Sequence, residues 1–148
     1  MRPSASTSPP ATERGHRVLP HTADAIVEAW GPTKAACLEE AVRGLVDLFA
    51  TARGPAPEGD WPVAIGPAPD DELLVALLDE VLTAVDATGA VPVAASLEAD
   101  GGGVRGVLKT VPADAVEVHG AVPKAIAWSG LEFGRRDGGW RCRFTVDV

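Results

Sequence analysis

The sequence predicts an α+β fold: a mixed or antiparallel sheet with two amphipathic helices packed on one of its faces. Three observations lead there. A leucine-rich stretch over 70–88 repeats its apolar residues at three- and four-residue steps, the spacing of a helix face. The closing "WRCRFTVDV" alternates strictly, with Trp140, Cys142, Phe144, Val146 and Val148 on one face and Arg141, Arg143, Thr145 and Asp147 on the other. Between and before these, strand-like and helix-like stretches follow in the order ββα β α ββ ββ, which suits a sheet with helices segregated to one side. At 148 residues, 46% of them hydrophobic, the chain can bury the core of one domain.

Taken in order, residues 16–20 and 25–30 are short apolar runs that flank "HTAD" and read as two strands. Pro32-Thr33 opens a helix whose stripe is Leu38, Ala41, Val42, Leu45, Leu48 and Phe49. "ARGPAPEGD" at 52–60 breaks the pattern, and "WPVAI" at 61–65 is a strand that Pro62 assigns to a sheet edge. The second helix starts on Asp70, Asp71 and Glu72, whose negative charge favours a helix N-terminus, and stops at Gly89. That acidic trio is read as terminal charge, not as a metal cluster. Val91, Val93, Ala95, Leu97 and Ala99 alternate as a strand, and "DGGG" turns it into a partner over 104–111. Residues 112–120 are polar, and 122–133 form the strand before the last.

The first fourteen residues, rich in Ser, Thr and Pro, read as a disordered tail ahead of a single domain over 15–148. They hold no apolar block of the secretory kind, and no stretch has the ~20 apolar residues of a membrane span, so a cytoplasmic protein without membrane attachment is expected. Cys37 and Cys142 form no CxxC pair and sit at apolar positions, which suits buried free thiols. The net charge is −8, and about −9 with the tail set aside. Such a surface opposes strong direct nucleic-acid binding and favours cations or a basic protein partner. No phosphate loop, HExxH or GxSxG is present.

The chemistry concentrates in "LPHTADAIVEAWG" (19–31) and at the chain's other end. Turn chemistry alone accounts for Thr22 and Asp24 between two strands. Asp147 lies on the polar face of a strand whose other face is core, one residue before a further oxygen donor at Val148. Carboxylate and carbonyl oxygens of this kind suit Ca²⁺ or Mg²⁺, whereas cysteines in core positions and scattered histidines argue against zinc. Spacing alone does not bring Asp24 to Asp147.

Four segments in order, "LPHTADAIVEAWG", "DDELLVALLDEVLTAVD", "HGAVPKAIAWSGLEF" and "GGWRCRFTVDV", resemble the archease family across nearly all of 16–148. The opening segment and the terminal Asp-aliphatic pair are the specific parts, and the leucine-rich helix is generic. The resemblance implies a small cytoplasmic accessory protein of the RNA-splicing ligase that joins 2′,3′-cyclic-phosphate or 3′-phosphate ends to 5′-hydroxyl ends. It implies no catalysis of its own, promotion of the ligase's guanylylation and multiple turnover, and a divalent metal ion. Carried over by position, it implies Asp24, Asp147 and Val148 as metal ligands, the last through a main-chain or terminal oxygen. Lys124 becomes a candidate contact to nucleotide or ligase, and His21 another, read first as orienting its turn. The chain departs from the family pattern at "KAIAWSG", which lacks the usual Thr, Tyr and His, and at "LLDEVL", where Trp-Leu-Asn-Glu is common. Two rival functions remain: a metal-dependent hydrolase with His21 as general base, and an acidic interaction module without metal chemistry.

Overall fold

The computed structural model describes residues 13–19, 24–54 and 59–148, so residues 1–12 of the tail expected over 1–14, and the His21 turn, lie outside the described residues. Nine strands and two helices follow in the order β1 (Gly15–Leu19), β2 (Asp24–Gly31), α1 (Lys34–Asp47), β3 (Ala50–Ala52), β4 (Gly59–Ile65), α2 (Asp70–Thr88), β5 (Val91–Asp100), β6 (Gly103–Val111), β7 (Val116–Val118), β8 (Ala125–Arg136) and β9 (Gly139–Asp147).

Both helices end where their chemistry dictates. Thr33 is extended and its hydroxyl accepts from the Ala36 N–H at 3.1 Å, which satisfies one of the orphan donors of α1. Asp70, Asp71 and Glu72 occupy the first turn of α2, and Gly89, at φ 75°, closes it by donating to the Val85 carbonyl. The α1 stripe runs past the helix: Leu48 and Phe49 follow its last turn, and Phe49 is still core. Gly44 lets α1 approach β2, since a Cβ there would stand 2.5 Å from Val27 Cγ1.

The strands pair antiparallel throughout, but in three sheets where the sequence predicts one. β1-β2-β9-β8 form a four-stranded sheet, β4-β6-β5 a three-stranded sheet and β3-β7 a two-stranded ribbon. Nor do the helices sit on one face of a single sheet: α1 packs on β1, β2, β9 and β5, and α2 on β8, β4, β5 and β6, so each touches both larger sheets. Buried there are Val27, Ala29, Leu38, Val42, Leu45, Leu74, Leu77, Leu78, Leu108, Phe144 and Val146. β4 is an edge strand, as Pro62 predicts. β3 and β7 arise in segments that read as loop and polar connection; three residues carry too little periodicity to announce a strand, and each finds its partner far along the chain.

Local shifts have local causes. Val93 is an extra residue where the β5–β6 register slips between Pro92 and Ala94, so the even alternation expected over 91–99 is interrupted. Gly101 and Gly102, at φ 60° and 83°, make the two-residue turn that "DGGG" predicts. β8 starts and ends three residues later than the 122–133 expected, and its register slips between Ala127 and Glu132. β9 stops at Asp147. Val148 lies beyond the pairing and is 50% exposed, so it does not continue the apolar face. No helix among the described residues is long and apolar enough to cross a membrane.

Candidate functional site

The antiparallel register of β2 and β9 sets Asp24 opposite Asp147. Residues directly opposed in such a ladder share a face. Val27 and Ala29 on β2 and Phe144 and Val146 on β9 are buried toward the helices, so the alternation turns Asp24 and Asp147 to the outer face. Two residues from opposite ends of the chain thus meet at one end of the sheet. β8 closes the group from the other side: Ala125 opposes Asp147, and the Lys124 N–H donates to the Asp147 carbonyl at 2.8 Å.

With Asp79, Leu82, Val85, Asp86, Val122 and Pro123, Lys124 lines an open cleft between α2 and the approach to β8. Lys124 is therefore tied to the carboxylate pair by its main chain. Val148 is adjacent in sequence and half exposed. Among the described residues no group of three His, Cys, Asp or Glu side chains forms a metal cluster. The pair alone still fits a hard cation: two acceptor-only carboxylates placed face to face repel each other unless a positive charge lies between them.

Along the outer face a ladder of charge leads away from this pair. Glu28 stands between Arg17 and Arg143, with its oxygens 3.0 Å from Arg17 Nε and 3.1 Å from Arg143 Nη1. Trp30 follows, with the guanidinium carbons of Arg17 and Arg141 at 4.9 and 5.8 Å from its ring centroid. On the opposite, helix-facing side of β1, His16 spans Glu40 Oε1 at 2.8 Å and Asp47 Oδ2 at 2.5 Å. The hydrogen bonds to Asp47 and Glu40 raise the imidazole pKa to about 9 against the cost of its burial. Burial pushes the Glu40 carboxyl up, but bonds from His16 and Arg14 outweigh it and hold it below the usual range. Arg14, counted with the tail on sequence, reaches Glu40 at 2.6 Å and Glu39 at 2.9 Å and fastens the start of β1 to α1. Cys37 and Cys142 are buried free thiols, as expected; the hydrogen bond with Cys37, then burial, holds the Cys142 thiol well above its usual range.

The archease protein family model matches residues 16–148. The chain belongs to the archease family. A "probable protein archease" of Mycobacterium tuberculosis, in two strains, is 40% identical over 139 residues, covering 94% of this chain and 78% of that protein. The fold of this archease is similar to the solution structure of Methanobacterium thermoautotrophicum protein 1598, at TM-score 0.68 and 19% identity over 90% of this chain and 99% of that one. It is also similar to the crystal structure of a Thermotoga maritima archease described as a possible chaperone, at TM-score 0.62 and 17% identity, covering 88% and 94% of the two chains. The resemblance of its four sequence segments to this family is thus borne out, and so is the α+β class.

Sequence reasoning missed the His16–Glu40–Asp47 bridge and the Arg17–Trp30–Arg141 stack. The alternation of "GHRVL" and "DAIVEAWG" marks which residues share a face, but the cross-strand and strand-to-helix partners need the register.

Proposed function

We propose that this archease is a metal-binding accessory protein, without catalytic turnover of its own, that acts in the cytoplasm. On this reading it promotes guanylylation and multiple turnover of the RNA-splicing ligase that seals 3′-phosphate ends, in tRNA splicing or RNA repair. Family membership supports the accessory role. The observation that carries the metal reading is the opposition of Asp24 and Asp147 across β2–β9, with the Asp147 carbonyl held by Lys124. Asp24, Asp147 and an oxygen of Val148 would hold Ca²⁺ or Mg²⁺, with His21 orienting the turn that leads to Asp24. When bound, the ion supplies positive charge of the kind that steadies phosphate groups. This chain's own residues present and hold the oxygens. The Lys124 ammonium is a contact to the ligase or its nucleotide.

The test is guanylylation of the cognate ligase by GTP, with and without this chain and with Asp24→Asn. Stimulation by wild type and its loss in the variant is the expected result. Nucleotide hydrolysis by the chain alone would favour the metal-dependent hydrolase. Binding to the ligase with no change in its guanylylation would leave an acidic interaction module.

A further inference from the structure

Along α2, Asp79, Leu82, Thr83 and Asp86 recur at three- and four-residue steps and so share one face of the helix. Nothing among the described residues covers that face fully: Leu82 is half-buried, as is Val85 beside it, and the other three are exposed. Opposite, the irregular stretch 119–124 leads into β8, with Pro123 buried and Val122 44% exposed. The two walls leave an open cleft of about 660 Å³ between them. Occupied clefts commonly measure ~300–1,000 Å³, so this one has room for several side chains.

The charges at this cleft do not satisfy one another. Asp79, Asp86 and Lys124 line it, and among the described residues no ion pair joins Lys124 to either aspartate. Glu80, next to Asp79, is engaged elsewhere: it accepts from the Trp61 indole N–H at 2.8 Å, toward β4. Partial burial, then the Glu80 charge, holds the Asp79 carboxyl above its usual range, and no cation offsets them. Two carboxylates against one ammonium leave the cleft net negative, in a chain of charge −8. The two stand seven residues apart on α2, about 10.5 Å along its axis, with Leu82 between them.

We propose that the cleft between α2 and the approach to β8 docks a basic, partly apolar segment of the ligase, a proposal that rests on the accessory-protein reading above. Two cationic side chains about 10 Å apart on that segment meet Asp79 and Asp86, a spacing that a helix supplies at i and i+7. An apolar side chain between them fills the space between Leu82 and Val122. Lys124 donates to a carbonyl or carboxylate of the same segment. Charges of this kind steer a partner of opposite sign and fix its register, and the buried apolar contact contributes affinity. A second copy of this chain, itself acidic, lacks the complementary charge.

Calorimetric titration of the full chain into the purified cognate ligase tests this. Asp79→Lys with Asp86→Lys is expected to weaken binding by about tenfold or more, and Val122→Ser by several-fold. Asp100→Lys with Asp114→Lys makes the same change in net charge at exposed positions outside the cleft and should leave affinity within about threefold. Asp86→Lys alone keeps the test open if the double variant unfolds, because a cation in the last turn of α2 suits the helix dipole. Unchanged affinity in the cleft variants, with wild type bound, overturns the docking and leaves the ligase reading intact. Equal loss in the control pair makes overall charge the cause and overturns it as well. A ligase that does not bind wild type removes the accessory reading and this docking together. Self-association of the chain in sedimentation, lost in Asp86→Lys, would give the cleft to a second copy instead.

Discussion

Asp24 and Asp147 face each other across the β2–β9 ladder, on the side of the sheet turned away from the helices. Directly opposed like charges destabilise a strand pair by a few tenths of a kcal/mol to about 1 kcal/mol. The metal reading therefore predicts two opposite effects of one change. Without divalent cations, Asp147→Asn should raise the melting temperature slightly, because it removes the repulsion. With Ca²⁺ or Mg²⁺ the order should reverse: wild type at about a hundred times Kd gains about 2.7 kcal/mol, and Asp24→Asn with Asp147→Asn gains little. Thermal melts of both proteins, with chelator and with each ion, check this. Equal cation-induced shifts in both would remove these carboxylates from the site.

A second prediction concerns pH. The His16 pKa rises from 6.5 to about 9 on folding, so the folded state holds this proton more tightly than the unfolded chain. That stabilisation is complete below pH 6.5, declines between pH 6.5 and 9, and is absent above 9. Each pKa unit corresponds to about 1.4 kcal/mol, but Asp47 is exposed and solvent screens its share, so about 1–2 kcal/mol is expected. Urea denaturation of wild type and His16→Gln across this range checks it. The variant should lose the slope between pH 7 and 9, and the two curves should converge in shape above pH 9.

These two sites show what the sequence discloses and what it conceals. The caps and stripe of α2 and the alternation of β9 are periodic and local, so they are legible directly. The outward direction of Asp147 follows from that alternation. Its meeting with Asp24 does not, because register joins the chain's two ends and no spacing encodes it. Lys124 shows the same limit: the sequence marks it as a candidate contact, but its main-chain bond to Asp147 and its place at the α2 cleft follow only from the fold. The His16 bridge was hidden because a strand residue chose helix partners, and Arg14 because an ion-paired anchor leaves no hydrophobic trace.

Trp128 supports a third prediction. It is 55% exposed in the irregular part of β8, within "KAIAWSG", where the chain departs from its family's pattern. An exposed indole contributes little to folding but is a typical anchor of protein interfaces. Trp128→Ser should change stability by no more than about 0.5 kcal/mol. If this strand faces the ligase, the same change should weaken binding by about tenfold or more, as loss of a hot spot does. Calorimetric titration with the purified ligase measures the second effect, and unchanged affinity would place the docking surface elsewhere.

The last prediction separates the two roles of Lys124. Its main-chain N–H donates to the Asp147 carbonyl, and the residue lines the α2 cleft with Asp79 and Asp86. Lys124→Ala removes only the side chain. It should leave cation affinity within about twofold, since the tie to Asp147 is a main-chain one and survives the change. Ligase guanylylation should nevertheless fall if the ammonium contacts nucleotide or partner. Lys124→Pro removes the N–H as well and leaves the Asp147 carbonyl without its donor, a cost of about 0.5–1.5 kcal/mol. With that tie gone the end of β9 is less fixed, so cation affinity should fall in the proline variant and not in the alanine one. Calcium titrations of the two proteins, with melts to correct for stability, decide between them. A large loss of cation affinity in Lys124→Ala would mean that the side chain serves the carboxylate pair after all.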